Sequence, residues 1–251
     1  MVDFVGAGCG AADLITLRGK ALIEKADVII YAGSLVNPEL LGYAADDCEI
    51  HNSAYMTLDE VISVMEKAEK SGKNVVRLHT GDPSVYGAIR EQIDRLCELD
   101  IPYRICPGVS SFCGAAAALR AEYTLPEVSQ TVIITRMEGR TPVPESESIE
   151  KLASHGSTMV IFLSTGMLEK LSERLISGGY SPDTPAAIVY KASWPDEKVC
   201  RCTVGTLYET ALKNNIKKTA LITVGNFLGD DYALSRLYDE SFETEYRKAK
   251  K

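Results

Sequence analysis

The chain predicts an α/β protein of two domains, and three observations carry that expectation. Short β-rich runs alternate with segments of helical spacing from residue 2 to residue 224. Two loops rich in glycine and hydroxyl residues, each set between a strand and a helix, lie about one βα unit apart. The pattern then changes near Leu125-Pro126-Glu127 without a low-complexity linker, which sets domains of 1–124 and 125–251 that pack closely. A length of 251 residues is near the upper size of a single hydrophobic core, so by length one large or two compact α/β domains are both possible.

The elements follow in order. Val2–Val5 is a buried-type strand that runs into Gly6-Ala7-Gly8-Cys9-Gly10, after which Leu14, Leu17, Ala21 and Leu22 recur at helical spacing. Asp27–Tyr31 is a second strand. Thr57 and Glu60 bracket a capping box, Leu58, Val61, Ile62, Met65 and Ala68 make the apolar stripe of the helix it opens, and Gly72 closes that helix. Val75–His79 precedes a Gly-Asp-Pro loop and a helix marked by Ile89, Ile93 and Leu96. Pro102–Ile105 precedes Pro107-Gly108-Val109-Ser110-Ser111 and an alanine-rich helix over 115–121. In the second half Thr131–Thr135, Thr158–Leu163, Ala186–Tyr190, Lys198–Val204 and Ala220–Val224 read as strands, with helices over Leu168–Ile176 and Thr206–Lys213.

Composition narrows the function. A formal charge of −8 argues against a general nucleic-acid binder, while leaving room for a local cationic cluster that takes an anionic small molecule. No apolar run approaches the roughly 18–20 residues that span a bilayer, and no basic leader precedes the first strand, so a cytoplasmic protein is expected. The seven cysteines form an odd set without a C-x-x-C spacing, as expected of reduced thiols. Cys200-Arg201-Cys202 puts two thiols on one strand face, where they are either packing residues or a metal or redox pair.

Each loop admits a structural role and a chemical one. Gly6-Ala7-Gly8-Cys9-Gly10 lacks the last glycine of a dinucleotide fingerprint, since Ala11 stands there, and no acidic residue ends the second strand. It is either a tight turn or a substrate-facing loop. Gly81-Asp82-Pro83 has no P-loop lysine; it is a helix entry or a backbone cradle with a carboxylate acceptor. Ser110 and Ser111 are a helix cap or anion-facing donors. His79 either lines the site or is structural, and Trp194 is a loop anchor or an aromatic wall. His51, His79 and His155 have no metal-ligand spacing, and no nucleophile elbow is present, so no metal and no catalytic nucleophile is assigned. Such a site suits group transfer from an activated cofactor.

Five stretches, YAGSLVNPELL (31–41), VVRLHTGDPSVYGAIREQ (75–92), CPGVSSFCGAAAA (106–118), YTLPEVSQTVIITRMEGRTPVPE (123–145) and YKASWPDEKVCRCTV (190–204), strongly resemble the tetrapyrrole (corrin/porphyrin) methylase family. Within it, SQTVIITRMEGRTPVPE and VYKASWPDEK resemble the branch that methylates carbon 11 of precorrin-4 or its cobalt form in cobalamin biosynthesis. The alternative is a sister enzyme acting at another ring carbon, or a diphthine synthase-like methyltransferase. The resemblance implies two α/β domains with S-adenosylmethionine (SAM) in a cleft between them, S-adenosylhomocysteine as product, and a homodimer. It carries cofactor contacts onto Cys9, Thr80, Gly81, Asp82, Val85, Ser110, Ser111, Leu163, Ala192, Ala220 and Leu221. A substrate with many carboxylates calls for cations, for which Arg136 and Arg140 are the first candidates and Arg90 and Lys191 the next. The first loop departs from the family pattern: Cys9 stands for a proline, and Ala11-Ala12 stand for Asp-Pro.

Overall fold

Strand β1 (Val2–Gly6) is buried along its whole length and has a parallel partner on each side. This is why its sequence is almost continuously apolar. A computed structural model describes residues 1–250 and resolves them into two units. The first unit holds Met1–Ala118 together with Lys191–Glu197; the second holds Leu119–Tyr190 and the chain from Lys198 onward.

The first unit runs β1, α1 (Leu17–Ile23), β2 (Val28–Tyr31), β3 (Glu49–Asn52), α2 (Leu58–Lys70), β4 (Val75–His79), α3 (Ile89–Glu98), β5 (Tyr103–Cys106) and α4 (Ser111–Leu119). Its five strands form an all-parallel sheet in the order β3-β2-β4-β1-β5. Side-chain alternation feeds two cores. Val2, Phe4, Ile30 and Val75 meet Val61, Ile62 and Met65 of α2 and Leu96 of α3; Val5, Ile29, Val76 and Leu78 meet Ile23 of α1 and Leu40. The capping box of Thr57 and Glu60 is formed at the start of α2. Strand β3 is an edge strand, short, polar and half-exposed, and carries no period-2 signal that sequence could show. Helix α4 begins at Ser111, four residues before the expected start, and its C-terminal end gives way to Arg120 in the left-handed region. The Cys113 and Gly114 N–H groups both donate to the Ser110 carbonyl, which winds the chain directly after the Pro-Gly-Val turn.

The second unit runs β6 (Val132–Arg136), α5 (Ile149–Ala153), β7 (Thr158–Phe162), α6 (Leu168–Ser177), β8 (Pro185–Tyr190), β9 (Lys198–Thr203), α7 (Leu207–Lys213) and β10 (Ala220–Val224). The sheet order is β6-β7-β10-β8-β9; β6 and β7 are parallel and the other pairs antiparallel. Met159, Ile161, Ile188 and Ile222 pack against Leu171 and Leu175 of α6 and Leu207 of α7. Cys200 and Cys202 both pack against this core, as packing thiols do. All seven cysteines are free. Among the described residues no helix is long and apolar enough to cross a membrane.

Three glycine-bearing segments of the first unit meet in close backbone contact. A Cβ on Gly6 would lie 2.6 Å from the Gly108 Cα and from the Gly81 carbonyl oxygen, all of it backbone that has nowhere to go. Gly6→Ala is therefore expected to destabilise the fold by about 2–3 kcal/mol, read as a lower urea midpoint; an unchanged midpoint would show that the strands separate at little cost.

Candidate functional site

In the first unit the loops that follow β1, β4 and β5 leave the carboxyl ends of three adjacent parallel strands, the usual place for a small-molecule site. They are joined to each other. Gly8 and Gly81 exchange backbone hydrogen bonds at 3.2 and 2.9 Å, and the Gly108 N–H donates to Asp82 Oδ2 at 2.8 Å. The other carboxylate oxygen of Asp82 accepts from the Ser84 N–H at 2.9 Å and from the Ser84 hydroxyl. Burial alone would raise the Asp82 carboxyl, but the bonds from the Ser84 hydroxyl and the Gly108 and Ser84 N–H groups outweigh it and hold the group below its ordinary value. Asp82 is thus a brace between two of the loops, in addition to whatever it offers a ligand.

The first loop is fixed from three sides. Asn37, 6% exposed, donates to the Gly10 carbonyl at 3.0 Å, and the Ala11 N–H donates to Ser193 Oγ at 2.9 Å. Cys9 is buried, with Sγ 3.4 Å from Ser193 Oγ and packed so closely on α4 that a Cβ on Gly114 would meet it at 2.9 Å. Gly10 in turn leaves room for Trp194, whose Cδ1 lies 2.3 Å from where a Cβ would be. Trp194 is the loop anchor of the two readings, and Lys191 Nζ sits 5.4 Å above its ring while pairing with Asp196 at 2.6 Å. The segment 191–197 therefore supplies the stiffness that proline would give elsewhere.

His79 is 3% exposed and stacks on Phe4, ring centroids 5.9 Å apart. Burial, with the nearby Arg77 cation, pushes its imidazole down to about 3, so it is neutral and its Nε2 has no partner. Beneath it Arg77 is buried with Nε on Gln92 Oε1 at 3.0 Å and Nη1 on the Ile30 carbonyl at 3.1 Å; burial lowers it to about 10. The Thr80 hydroxyl is also buried without a partner, at the point where β4 opens into the loop. Val85 is half-buried, Ser110 is 6% exposed, and Ser111 is the first residue of α4.

In the second unit the other expected cofactor positions gather at one end of the sheet. The parallel register sets Arg136 beside Phe162, and the antiparallel register of Ile222 with Ile161 brings the start of β10, Ala220 and Leu221, to the end of β7. Ala220 also pairs with Tyr190, the last residue of β8. Leu163, directly after β7, is 65% exposed and holds φ at +53°, a conformation that costs a branched residue about 1–2 kcal/mol. Strain and an exposed apolar side chain thus coincide at one residue. Ser164, fully buried, accepts from the Met137 N–H at 2.9 Å, donates to the Phe162 carbonyl at 2.7 Å, and so ties the loop after β7 to the loop after β6. The Thr165 hydroxyl donates to the Ala220 carbonyl at 3.0 Å.

Ala192 is buried in the first unit, where its carbonyl oxygen lies 2.5 Å from the position of a Gly10 Cβ. The candidate substrate cations are placed very differently. Arg136 donates to three carbonyls of its own loop, Arg140 is exposed at the tip of that loop, Arg90 bridges Asp94 on the surface of α3, and Lys191 pairs with Asp196. Sequence reasoning passed over Asn37, Ser164 and Glu138. The Asn37-Pro38 pair carried a turn signal, whereas Ser164 has none, because its role is set by a partner 27 residues away.

These two loop sets, on a parallel and a mixed sheet, are those of a tetrapyrrole methylase. The profile of the Tetrapyrrole (Corrin/Porphyrin) Methylases matches residues 1–208, and the chain belongs to that family. Over its full length it is 59% identical to a cobalt-precorrin-4 C(11)-methyltransferase of Methanocaldococcus jannaschii, covering 97% of that protein. It is 46% identical to a precorrin-4 C(11)-methyltransferase of a Sinorhizobium species, over 98% of each chain. Among solved structures, a cobalt precorrin-4 methyltransferase superposes with a TM-score of 0.89 at 45% identity, covering 91% of this chain and 96% of the other.

The buried imidazole makes stability pH-dependent. With a folded value near 3 and an unfolded one near 6.5, the unfolded chain binds the extra proton, so stability is full above pH 6.5 and falls as pH drops toward 3. The urea-derived stability is expected to decline between pH 6.5 and 5 with a slope approaching about 1.4 kcal/mol per pH unit, and His79→Leu to flatten that slope. Equal slopes in the two proteins would place the titration elsewhere.

Proposed function

We propose that this chain transfers the methyl group of SAM to carbon 11 of precorrin-4 or its cobalt complex, acting as a homodimer in the cytoplasm. The observation that carries the reading is the full-length match to carbon-11 methyltransferases, joined to the place of the Thr-Arg-Met-Glu-Gly-Arg-Thr-Pro stretch at the same sheet end as Leu163 and Ala220. The residues fit the cofactor. A buried hydroxyl without a partner on Thr80 and the strained, exposed Leu163 are what a ligand would satisfy and cover.

When bound, SAM supplies a methyl group already activated on a sulfonium centre, and the electron-rich tetrapyrrole carbon supplies the nucleophile. Cys9, Thr80, Gly81, Asp82, Val85, Ser110, Ser111 and Ala192 would hold the cofactor on the first unit, and Leu163, Ala220 and Leu221 on the second. The chain's task is then orientation and exclusion of water, worth roughly 7–11 kcal/mol where alignment is good. His79, neutral and stacked on Phe4, adds no charge of its own at the end of β4, where a cationic ligand would approach. No residue is required as general base.

Incubation with SAM and either form of precorrin-4 is expected to give a product heavier by one methyl group, placed at carbon 11 by NMR. SAM binding without that product would move the reading to a sister ring carbon. Asp82→Ala removes the brace between two loops and is expected to weaken SAM binding about 10-fold or more by calorimetry; affinity within twofold of the parent would show that Asp82 plays no part in forming the site.

A further inference from the structure

Of the two arginines in the stretch 135–142, one is consumed by the loop and the other is displayed by it. Arg136, the last residue of β6, sends Nη1 to the carbonyls of Met137 (3.1 Å) and Thr141 (3.3 Å) and Nη2 to that of Pro142 (2.8 Å). The Gly139 N–H closes the same turn onto the Thr141 carbonyl at 3.2 Å. Glu138 faces the other way and accepts from Arg174 Nη1 at 2.7 Å, with Lys170 Nζ 3.8 Å away. At the root, Met137 is 1% exposed in the core of the second unit and its N–H is held by Ser164.

The loop is therefore fixed from inside by a guanidinium, from behind by an ion-pair network, and at its base by a buried side chain. Its charges are matched as well: Glu138 is neutralised, and Glu145 lies 3.4 Å from Lys151 Nζ. Arg140 alone, exposed at the tip, makes no hydrogen bond or ion pair among the described residues. The loop leaves the carboxyl end of β6 beside the loop that carries Leu163, and Ser164 joins the two.

We propose that Arg140 is the specificity-determining residue that receives a carboxylate of the tetrapyrrole, and that Arg136 and Glu138 are positioning residues which hold it out. This rests on the proposed function for its substrate. A guanidinium that already serves three carbonyls has no bidentate face left for a ligand carboxylate, whereas Arg140 has all five donors free. A loop ordered before binding spares the complex the entropy of ordering it, so the positioning residues act on affinity through Arg140.

The test uses the full chain and follows three quantities: KM and kcat for the tetrapyrrole, the SAM dissociation constant, and hydrogen exchange of amides 138–141. Arg140→Ala is expected to raise KM about 10-fold or more, with kcat, SAM affinity and exchange within twofold, and Arg140→Lys to recover most of the loss. Arg136→Lys keeps the charge but cannot span three carbonyls; it is expected to raise KM comparably and to accelerate exchange in the loop. A KM for Arg140→Ala within twofold of the parent overturns the assignment of Arg140. Unchanged exchange in Arg136→Lys overturns that of Arg136. If the parent protein binds SAM yet methylates neither form of precorrin-4, the functional reading and the carboxylate assignment fall together, while the exchange data still decide whether Arg136 holds the loop.

Discussion

The first unit depends on the contact of Gly6, Gly81 and Gly108, three backbones closer than any side chain would allow. Parallel strands β4, β1 and β5 hold their register below it. Above it the chain must turn outward three times within a few ångströms. With a Cβ at Gly6 or Gly108 the loops would splay, and Asp82 could not reach the Gly108 N–H. The glycines remove an obstacle and the carboxylate supplies the attraction. Together they turn three strand ends into one surface.

The second unit solves the same problem with a hydroxyl. Ser164 joins the loops after β6 and β7 by accepting one backbone N–H and donating to one carbonyl, which satisfies polar groups that full burial would otherwise leave at a cost of about 1–3 kcal/mol each. Because β10 runs antiparallel to β7, its first residues arrive at this same end, and the Thr165 hydroxyl secures them through the Ala220 carbonyl. A mixed sheet thus brings strand starts and strand ends together, which an all-parallel sheet cannot do.

The parts legible in the sequence are those governed by local pattern. The five strands of the second unit, the capping box at Thr57 and the paired glycine loops follow from period, caps and turn chemistry, and the motif stretches carried the family. What stayed hidden was set by partners distant in the chain. Strand β3 is too short and polar to announce itself, and the early start of α4 follows from the turn before it. Arg136 reads as a ligand-binding cation because its residue type says so, yet its three acceptors come from the curl of residues 137–142, a conformation no spacing rule specifies. The membership of 191–197 in the first unit depends on Trp194 filling the space Gly10 leaves, and on Ser193 accepting the Ala11 N–H.

That last arrangement explains how the first loop holds its shape without a proline. A proline stiffens a turn by fixing φ and by removing an N–H that would otherwise need a partner. Here the Ala11 N–H is kept and given Ser193, the Gly10 carbonyl is given Asn37, and the small thiol of Cys9 fits against Gly114 where a bulkier residue would press into α4. The rigidity comes from tertiary bonds instead of covalent geometry. It is conditional in a way that a proline is not, since it lasts only while 191–197 stays seated. Cys9 and Ser193 are therefore one device, and the stiffness of the first loop is supplied by another part of the chain.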